Sequence, residues 1–261
     1  MNLSLAGKTA IVCGSTQGIG LACAIELALL EANCVLIARN ETSLQQAILK
    51  LDTSKGQQHK YLVADFSKPM ELKTTIQNFM SQNVAHILIN NTGGPPAGPI
   101  IDATEDDFLK AYNQHLICNH ILAQAIVPSM KKEGYGRIIN IISTSVKIPL
   151  HNLGVSNTTR GAVASWAKTM ANELGQFNIT VNNILPGSTK THRIDSIIKT
   201  TATKKNISTE QVEEQMKNEI PMKRFADASE LGAVAAFLAS PAASYVNGVS
   251  IPVDGGRTGT I

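Results

Sequence analysis

The sequence predicts a doubly wound α/β fold: a parallel sheet covered by helices on both faces, in one domain spanning residues 1–261. Three observations carry this. Short apolar runs without alternation recur along the chain, helix-period stretches separate them, and a glycine-rich segment stands between the first run and the first helix. Thr9–Cys13 reads as a buried strand and residues 19–31 as an amphipathic helix. Residues 34–38 form the next strand, followed by a helix near 42–51. Residues 61–64 and Ile87–Asn90 are strands flanking a helix that opens near Pro69. Residues 138–142 and 180–185 continue the pattern, with long helices before and between them. A helix over 228–240 and a last strand at Ser250–Val253 complete it. Right-handed crossovers between parallel strands then restrict the topology.

Composition narrows the function. Apolar residues make up 43% and charged residues 16%, a globular balance. A chain of this length buries roughly three quarters of its unfolded surface, so its core needs no covalent staples. The net charge is +3 with scattered Lys and Arg, and no basic patch interleaved with aromatics points to nucleic acid. Cys13, Cys23, Cys34 and Cys118 show neither C-x-x-C nor zinc-ligand spacing, and read as packed hydrophobes; no metal is expected. The first residues lack a signal peptide's basic start and apolar core, and no run approaches ~20 apolar residues. The expectation is a soluble, cytoplasmic protein with no membrane partner.

One irregular stretch, 188–220, is polar and rich in Lys and Glu. It reads as a lid over the strand C-termini, where such folds bind ligands, or as a solvated helical insertion. No pocket chemistry is legible in it.

Gly14-Ser15-Thr16-Gln17-Gly18-Ile19-Gly20 follows the first strand and opens the first helix. Gly14 permits a tight turn, Gly18 lets backbone approach a pyrophosphate, and Gly20 lets the helix pack close to the sheet. The phosphates then face free N–H groups and the positive end of the helix dipole, as in a Rossmann-type dinucleotide site. About 20 residues further on, an acidic residue favours NAD; here Arg39 ends the second strand, and a cation suits the 2′-phosphate of NADP, with Asn40 adding a hydrogen bond. Asp65 and Phe66 after the third strand either hold adenine or cap the turn.

With Gly14-x-x-x-Gly18-Ile19-Gly20, the chain also carries Asn90-Asn91-Thr92-Gly93, Pro186-Gly187 and Val253-Asp254-Gly255-Gly256. In this ordered set it resembles the short-chain dehydrogenase/reductase family over its whole length, closest in style to bacterial 3-oxoacyl-carrier-protein reductases. The resemblance implies that Asn91 and Gly93 line the adenosine side. It also implies that Pro186-Gly187 and the backbone of Thr189 face the nicotinamide, and Thr191 a phosphate. Thr92 stands where the family usually has Ala. A homotetramer, assembled through 228–261, is likewise implied.

The family's reaction set is Asn, Ser, Tyr and Lys. Ser143 matches the Ser, but Ser156 stands in the Tyr position, Arg160 in the Lys position and His115 in the Asn position. A phenol can be brought toward neutrality by an adjacent cation, whereas an aliphatic hydroxyl titrates far higher and is shorter. Arg160 can still hydrogen-bond the cofactor ribose or polarise an oxyanion, but does not readily cycle a proton. Three readings follow. His115 or His151 donates the proton; or water does so slowly through Ser156; or the protein binds NADP(H) without turnover, as a sensor or partner-binding module. Asn119, one helical turn beyond His115, is a substitute for the missing Asn. The expectation is an NADP(H)-dependent reductase of a small carbonyl substrate of the 3-oxoacyl-thioester type, with an atypical proton donor.

Overall fold

The computed structural model describes residues 1–260. Seven parallel strands form one sheet: β1 (Thr9–Cys13), β2 (Asn33–Ala38), β3 (Lys60–Val63), β4 (Ile87–Asn90), β5 (Gly136–Ile141), β6 (Ile179–Pro186) and β7 (Ser250–Val253). Their order is β3-β2-β1-β4-β5-β6-β7. The chain winds outward from β1 to β3, then returns to place β4 on the other side of β1. That reversal leaves a crevice beyond the strand ends, between β1 and β4.

The central strands show no alternation because both their faces are buried, whereas the edge strands β3 and β7 are only partly covered. In β1, Ala10 and Val12 enter a core with α1 (Gly18–Leu29), α2 (Glu41–Ile48) and α9 (Ala228–Ala239). Ile11 and Cys13 enter the opposite core with α3 (Pro69–Met80), α5 (Cys118–Glu133) and α6 (Gly154–Leu174). All four cysteines are free and buried, and burial pushes the Cys23, Cys34 and Cys118 thiols up to about 12, as befits packed hydrophobes.

Helix ends differ from the sequence expectation for local reasons. α1 stops at Leu29, short of 31, because Glu31 turns the chain at φ 78°. α2 starts one residue early, since Asn40 caps it by accepting a hydrogen bond from the Ser43 N–H at 2.8 Å, and it stops at Ile48 rather than 51. α4 (Glu105–Tyr112) runs into α5 through a π-helical turn at Asn113–Ile117. Such turns insert one extra residue and often mark functional positions.

The 188–220 stretch folds into α7 (His192–Lys205) and α8 (Thr209–Asn218). Ile194, Ile198, Ala202, Val212, Ile220 and Phe225 form a small core of their own. It is therefore a helical insertion, in line with one of the two readings, but one packed on a core of its own. Among the described residues, no helix is long and apolar enough to cross a membrane.

A chain of amides crosses the sheet at one level. Asn90, Asn140, Asn183 and Ser250 are register partners on β4 to β7. Asn90 Nδ2 donates to Asn140 Oδ1 at 2.8 Å, Asn140 Nδ2 to Asn183 Oδ1 at 2.9 Å, and Asn183 Nδ2 to the Ser250 hydroxyl at 3.0 Å. A register slip leaves these buried groups without partners. Asn140→Ala therefore strands a donor on Asn90 and an acceptor on Asn183, and is expected to cost about 2 kcal/mol or more in urea denaturation. An unchanged midpoint would show that the ladder contributes nothing to stability.

Candidate active site

The β1–α1 turn is built by close backbone contact. Gly14 and Gly18 both adopt φ 56°. A Cβ on Gly14 would come within 2.6 Å of the Asn91 carbonyl oxygen, and one on Gly20 would overlap the Gly14 carbonyl. Asn91 Nδ2 donates to the carbonyls of Cys13 at 3.3 Å and Gly14 at 3.2 Å, bracing the turn from β4. The helix that follows has no side-chain cap and no acid in its first turn. Its free N–H groups and dipole therefore point, uncompensated, into the crevice.

A cavity of about 530 Å³ lies there. Gly14, Gln17, Gly18 and Ile19 form its floor, Asn91 and Gly93 one wall, and Arg39, Asn40, Asp65 and Phe66 its far end. Arg39 is exposed and, among the described residues, forms no ion pair. Two expectations change here. Ser15 is not a lining residue: it is fully buried and donates to the Ile37 carbonyl at 3.4 Å, while Thr16 faces the cavity instead. Gly20 packs the helix against the turn and does not line the cavity. The Asn40 carbonyl oxygen is taken by its capping bond, leaving only its amide group for a ligand. Asp65 Oδ1 accepts from the Ser67 N–H at 2.9 Å, so it caps its turn while lining the cavity.

A second cavity, about 480 Å³, continues from the first through Ile19, Asn91, Thr92, Gly93, Thr191 and Arg193. Ser143, His151, Ser156 and Arg160 line it together, with Pro186, Gly187 and Thr189 on the β6 side. Ser143 ends the β5 segment and accepts from the Ser145 N–H at 3.1 Å, which fixes its rotamer. Ser156 and Arg160 lie one turn apart near the start of α6, both buried. The Arg160 guanidinium donates to the Ile141 carbonyl at 3.0 Å. Burial, and secondarily Arg193, brings its pKa down to about 10, so it remains a cation at neutral pH. His151 is exposed at the rim. Thr189 and Thr191 hold the β6–α7 connection by hydroxyl bonds to the Gly187 and Thr189 carbonyls, at 3.1 and 3.2 Å. Ile194, Ile197 and Met216 of the α7–α8 pair wall the same cavity.

His115 behaves differently from the expectation of a proton donor. It sits in the π-helical turn, 1% exposed, and lines neither cavity. Its Nδ1 is 2.5 Å from the Thr92 hydroxyl, while Nε2 has no partner. Two departures from the family pattern, Thr92 and His115, thus pair with each other. Burial, then Arg160 and Arg193, lower the imidazole pKa to about 3. A neutral imidazole is a poor acid at physiological pH. Asn119 is buried and also lines neither cavity. Tyr112 is 45% exposed and does not join the site.

Sequence reasoning missed Arg193. It opens α7 and donates to the carbonyls of Gly94 at 3.1 Å and Pro95 at 3.4 Å, bringing a cation to both cavities. The insertion therefore does carry pocket chemistry. The usable signal was an Arg in the first turn of a helix just after Pro186-Gly187, at a strand's C-terminal end.

Comparison with known proteins agrees with this geometry. The chain matches the family described as Enoyl-(Acyl carrier protein) reductase over residues 14–258. A tropinone reductase homolog of Arabidopsis thaliana is 32% identical over 98% of this chain and 91% of that protein. The NADPH-dependent reductase BacG of Bacillus subtilis is 31% identical over 97% of this chain and 99% of its own. The structure of L-sorbose reductase from Gluconobacter frateurii, complexed with NADPH and L-sorbose, superposes with a TM-score of 0.93 at 30% identity, covering 100% of both chains. The chain belongs to the short-chain dehydrogenase/reductase family.

The depressed His115 pKa has a consequence for stability. Unfolded, this histidine takes up a proton below about 6.5, whereas in the fold it stays neutral down to about 3. The unfolded state therefore binds more protons between these values. The His115 contribution is full above about 6.5 and is lost as pH falls toward about 3, by at most ~1.4 kcal/mol per pH unit. Urea midpoints between pH 7 and 5 are expected to fall, and less steeply in His115→Asn; identical slopes would mean that the imidazole is not held neutral.

Proposed function

We propose that the protein is an NADP(H)-dependent oxidoreductase that reduces a carbonyl of the oxoacyl type, the 3-oxoacyl thioester being the form that the resemblance to carrier-protein reductases supplies. The observation that carries this reading is the continuity of the two cavities. One has an uncapped helix N-terminus and an unpaired Arg39, the other Ser143, Ser156 and Arg160. The residues fit the cofactor: the glycine turn closes against Asn91 and its own backbone so tightly that Gly14 and Gly20 admit no Cβ, leaving the free N–H groups of the helix start to a pyrophosphate, and Arg39 suits a 2′-phosphate. Asn91, Gly93, Asp65 and Phe66 would bracket the adenosine end, Thr189 the nicotinamide end, and Thr191 would meet a phosphate. Names of the relatives support it, since BacG is an NADPH-dependent reductase and the sorbose reductase was solved with NADPH.

NADPH, when bound, supplies the hydride. Ser143 donates a hydrogen bond to the carbonyl oxygen, and the Arg160 guanidinium stabilises the negative charge developing there, a task its persistent charge suits. The chain lacks Tyr-x-x-x-Lys in the matching positions, so the alkoxide is protonated from elsewhere. Ser156 is too weak an acid to act alone, and buried His115 is a positioning residue that holds Thr92 and the π-helical turn. His151 at the rim, or water held by Ser156, remains as donor. The α7–α8 pair acts as a lid, closing its Ile194, Ile197 and Met216 face over the substrate. The homotetramer belongs to this reading too; the wholly exposed Tyr245 within the 228–261 region supports a covered surface in the assembly.

The substitution of Ser156 and Arg160 for Tyr and Lys favours one second reading, a cofactor-binding protein that has given up turnover. NADPH oxidation with oxoacyl thioesters, diketones and quinones separates the two. Turnover is expected, with Ser143→Ala lowering kcat/KM about 100-fold and His151→Ala slowing it if the imidazole is the donor. Silence in the natural protein with activity in the Ser156→Tyr/Arg160→Lys variant would establish the second reading. For the cofactor, NADPH is expected to bind at least about tenfold more tightly than NADH, with Arg39→Ala removing that margin of ~1.4 kcal/mol. Equal affinities in the natural protein would overturn the NADP assignment.

A further inference from the structure

The reaction cavity has an unusual charge balance. Arg160, Arg193, Arg257 and His151 line it, and none of its lining residues is Asp or Glu. Arg257 is answered outside the lining by Glu219, at 2.5 Å. Arg160 and Arg193 have no carboxylate partner; their bonds go to the neutral carbonyls of Ile141, Gly94 and Pro95. Arg160 is 8% exposed, and a buried cation without a counter-charge is costly to maintain.

Another buried guanidinium shows what purely structural accommodation looks like. Arg137, at the opposite end of β5, donates to the Gly136 and Asn178 carbonyls and lies 4.2 Å over the Tyr135 ring, facing no cavity. Arg160 has no such aromatic face and opens instead onto a space of about 480 Å³. The field of the two arginines is felt locally: with burial, it keeps the neighbouring His115 uncharged.

The dinucleotide's own charges have other partners. Its pyrophosphate would face the uncapped α1 N-terminus, in a cavity that Arg193 also borders, and its additional phosphate would face Arg39 at the far end. Arg160 lines the second cavity and not the first, and there an anion on the substrate itself is the available counter-charge. Ile142, Leu150, Ile194, Ile197 and Met216 supply an apolar wall beside the arginines. We propose that the substrate is an oxo acid, a carbonyl compound with a free carboxylate and an apolar side chain, and that Arg193 and Arg160 hold the carboxylate. The proposal rests on the reductase reading above and selects, within it, the free acid over a neutral thioester. A guanidinium fork matches a carboxylate and, by fixing it, aims the carbonyl at Ser143.

Calorimetric titration of the NADP⁺-saturated protein with 4-methyl-2-oxopentanoate, and with its neutral methyl ester, tests this without turnover. The acid is expected to bind at least about tenfold more tightly than the ester, and to weaken as salt is raised. Arg193→Gln is expected to erase most of that preference and Arg193→Lys to restore part of it, as a point charge replaces a fork. Equal binding of acid and ester, no binding of the acid, or an Arg193→Gln variant that loses NADP⁺ affinity but keeps the acid preference would each overturn the proposal. Absence of NADP⁺ binding in the natural protein would instead strike the cofactor reading; the same pair of probes titrated into the free protein then still decides the anion site.

Discussion

Two adjacent asparagines at the end of β4 carry the constraint on which the site depends. Asn90 faces along the sheet and starts the amide ladder that ties β4 to β5, β6 and β7. Asn91 faces the other way, and its amide holds the carbonyls of Cys13 and Gly14. The register of half the sheet and the shape of the glycine turn are therefore fixed from one point. Because the contacts at Gly14 and Gly20 are already at backbone van der Waals distance, a small displacement of β4 would move the whole β1–α1 turn. The same placement sets a wall of both cavities, since Asn91 lines each of them.

The electrostatics of the reaction cavity are organised around cations rather than an acid–base pair. In the family pattern a Lys beside a Tyr makes the phenol a usable acid. Here Arg160 keeps the charge but pairs with an aliphatic serine, and a neutral imidazole fills the Asn position. Thr92 accompanies that imidazole, giving its Nδ1 a partner that an alanine could not provide. The departures are thus mutually consistent: a hydroxyl supports the histidine, burial and two arginines keep it uncharged, and the pocket as a whole presents positive potential. Such a site suits the stabilisation of negative charge better than the shuttling of protons.

The insertion between β6 and α9 shows how a surface segment becomes part of a site. Its apolar residues split between two duties. Ile198, Ala202, Val212 and Phe225 pack the helices on each other, while Ile197 turns toward the cavity. Ile194 and Met216 do both. A helical pair with its own small core can keep its shape while its position over the pocket changes, which is the physical requirement for a lid.

Much of this protein was determined by local sequence alone. The buried strands announced themselves because residues on both faces of β1, β2 and β4 are mostly apolar, and the glycine turn did so because glycine satisfies both its φ values and its close approach. Arg39, at the end of a strand, was legible for the same reason: its position follows directly from chain geometry. What only the tertiary structure decided were relations between distant segments. His115 reads as a titrating acid until burial and two remote arginines are brought against it. Ser15 reads as a ligand contact until the turn points it at Ile37. Arg193 looks like one more polar residue of a solvated helix, and becomes a pocket cation only when α7 folds back over the strand ends. Desolvation and charge proximity are properties of packing, and no local pattern in the chain encodes them.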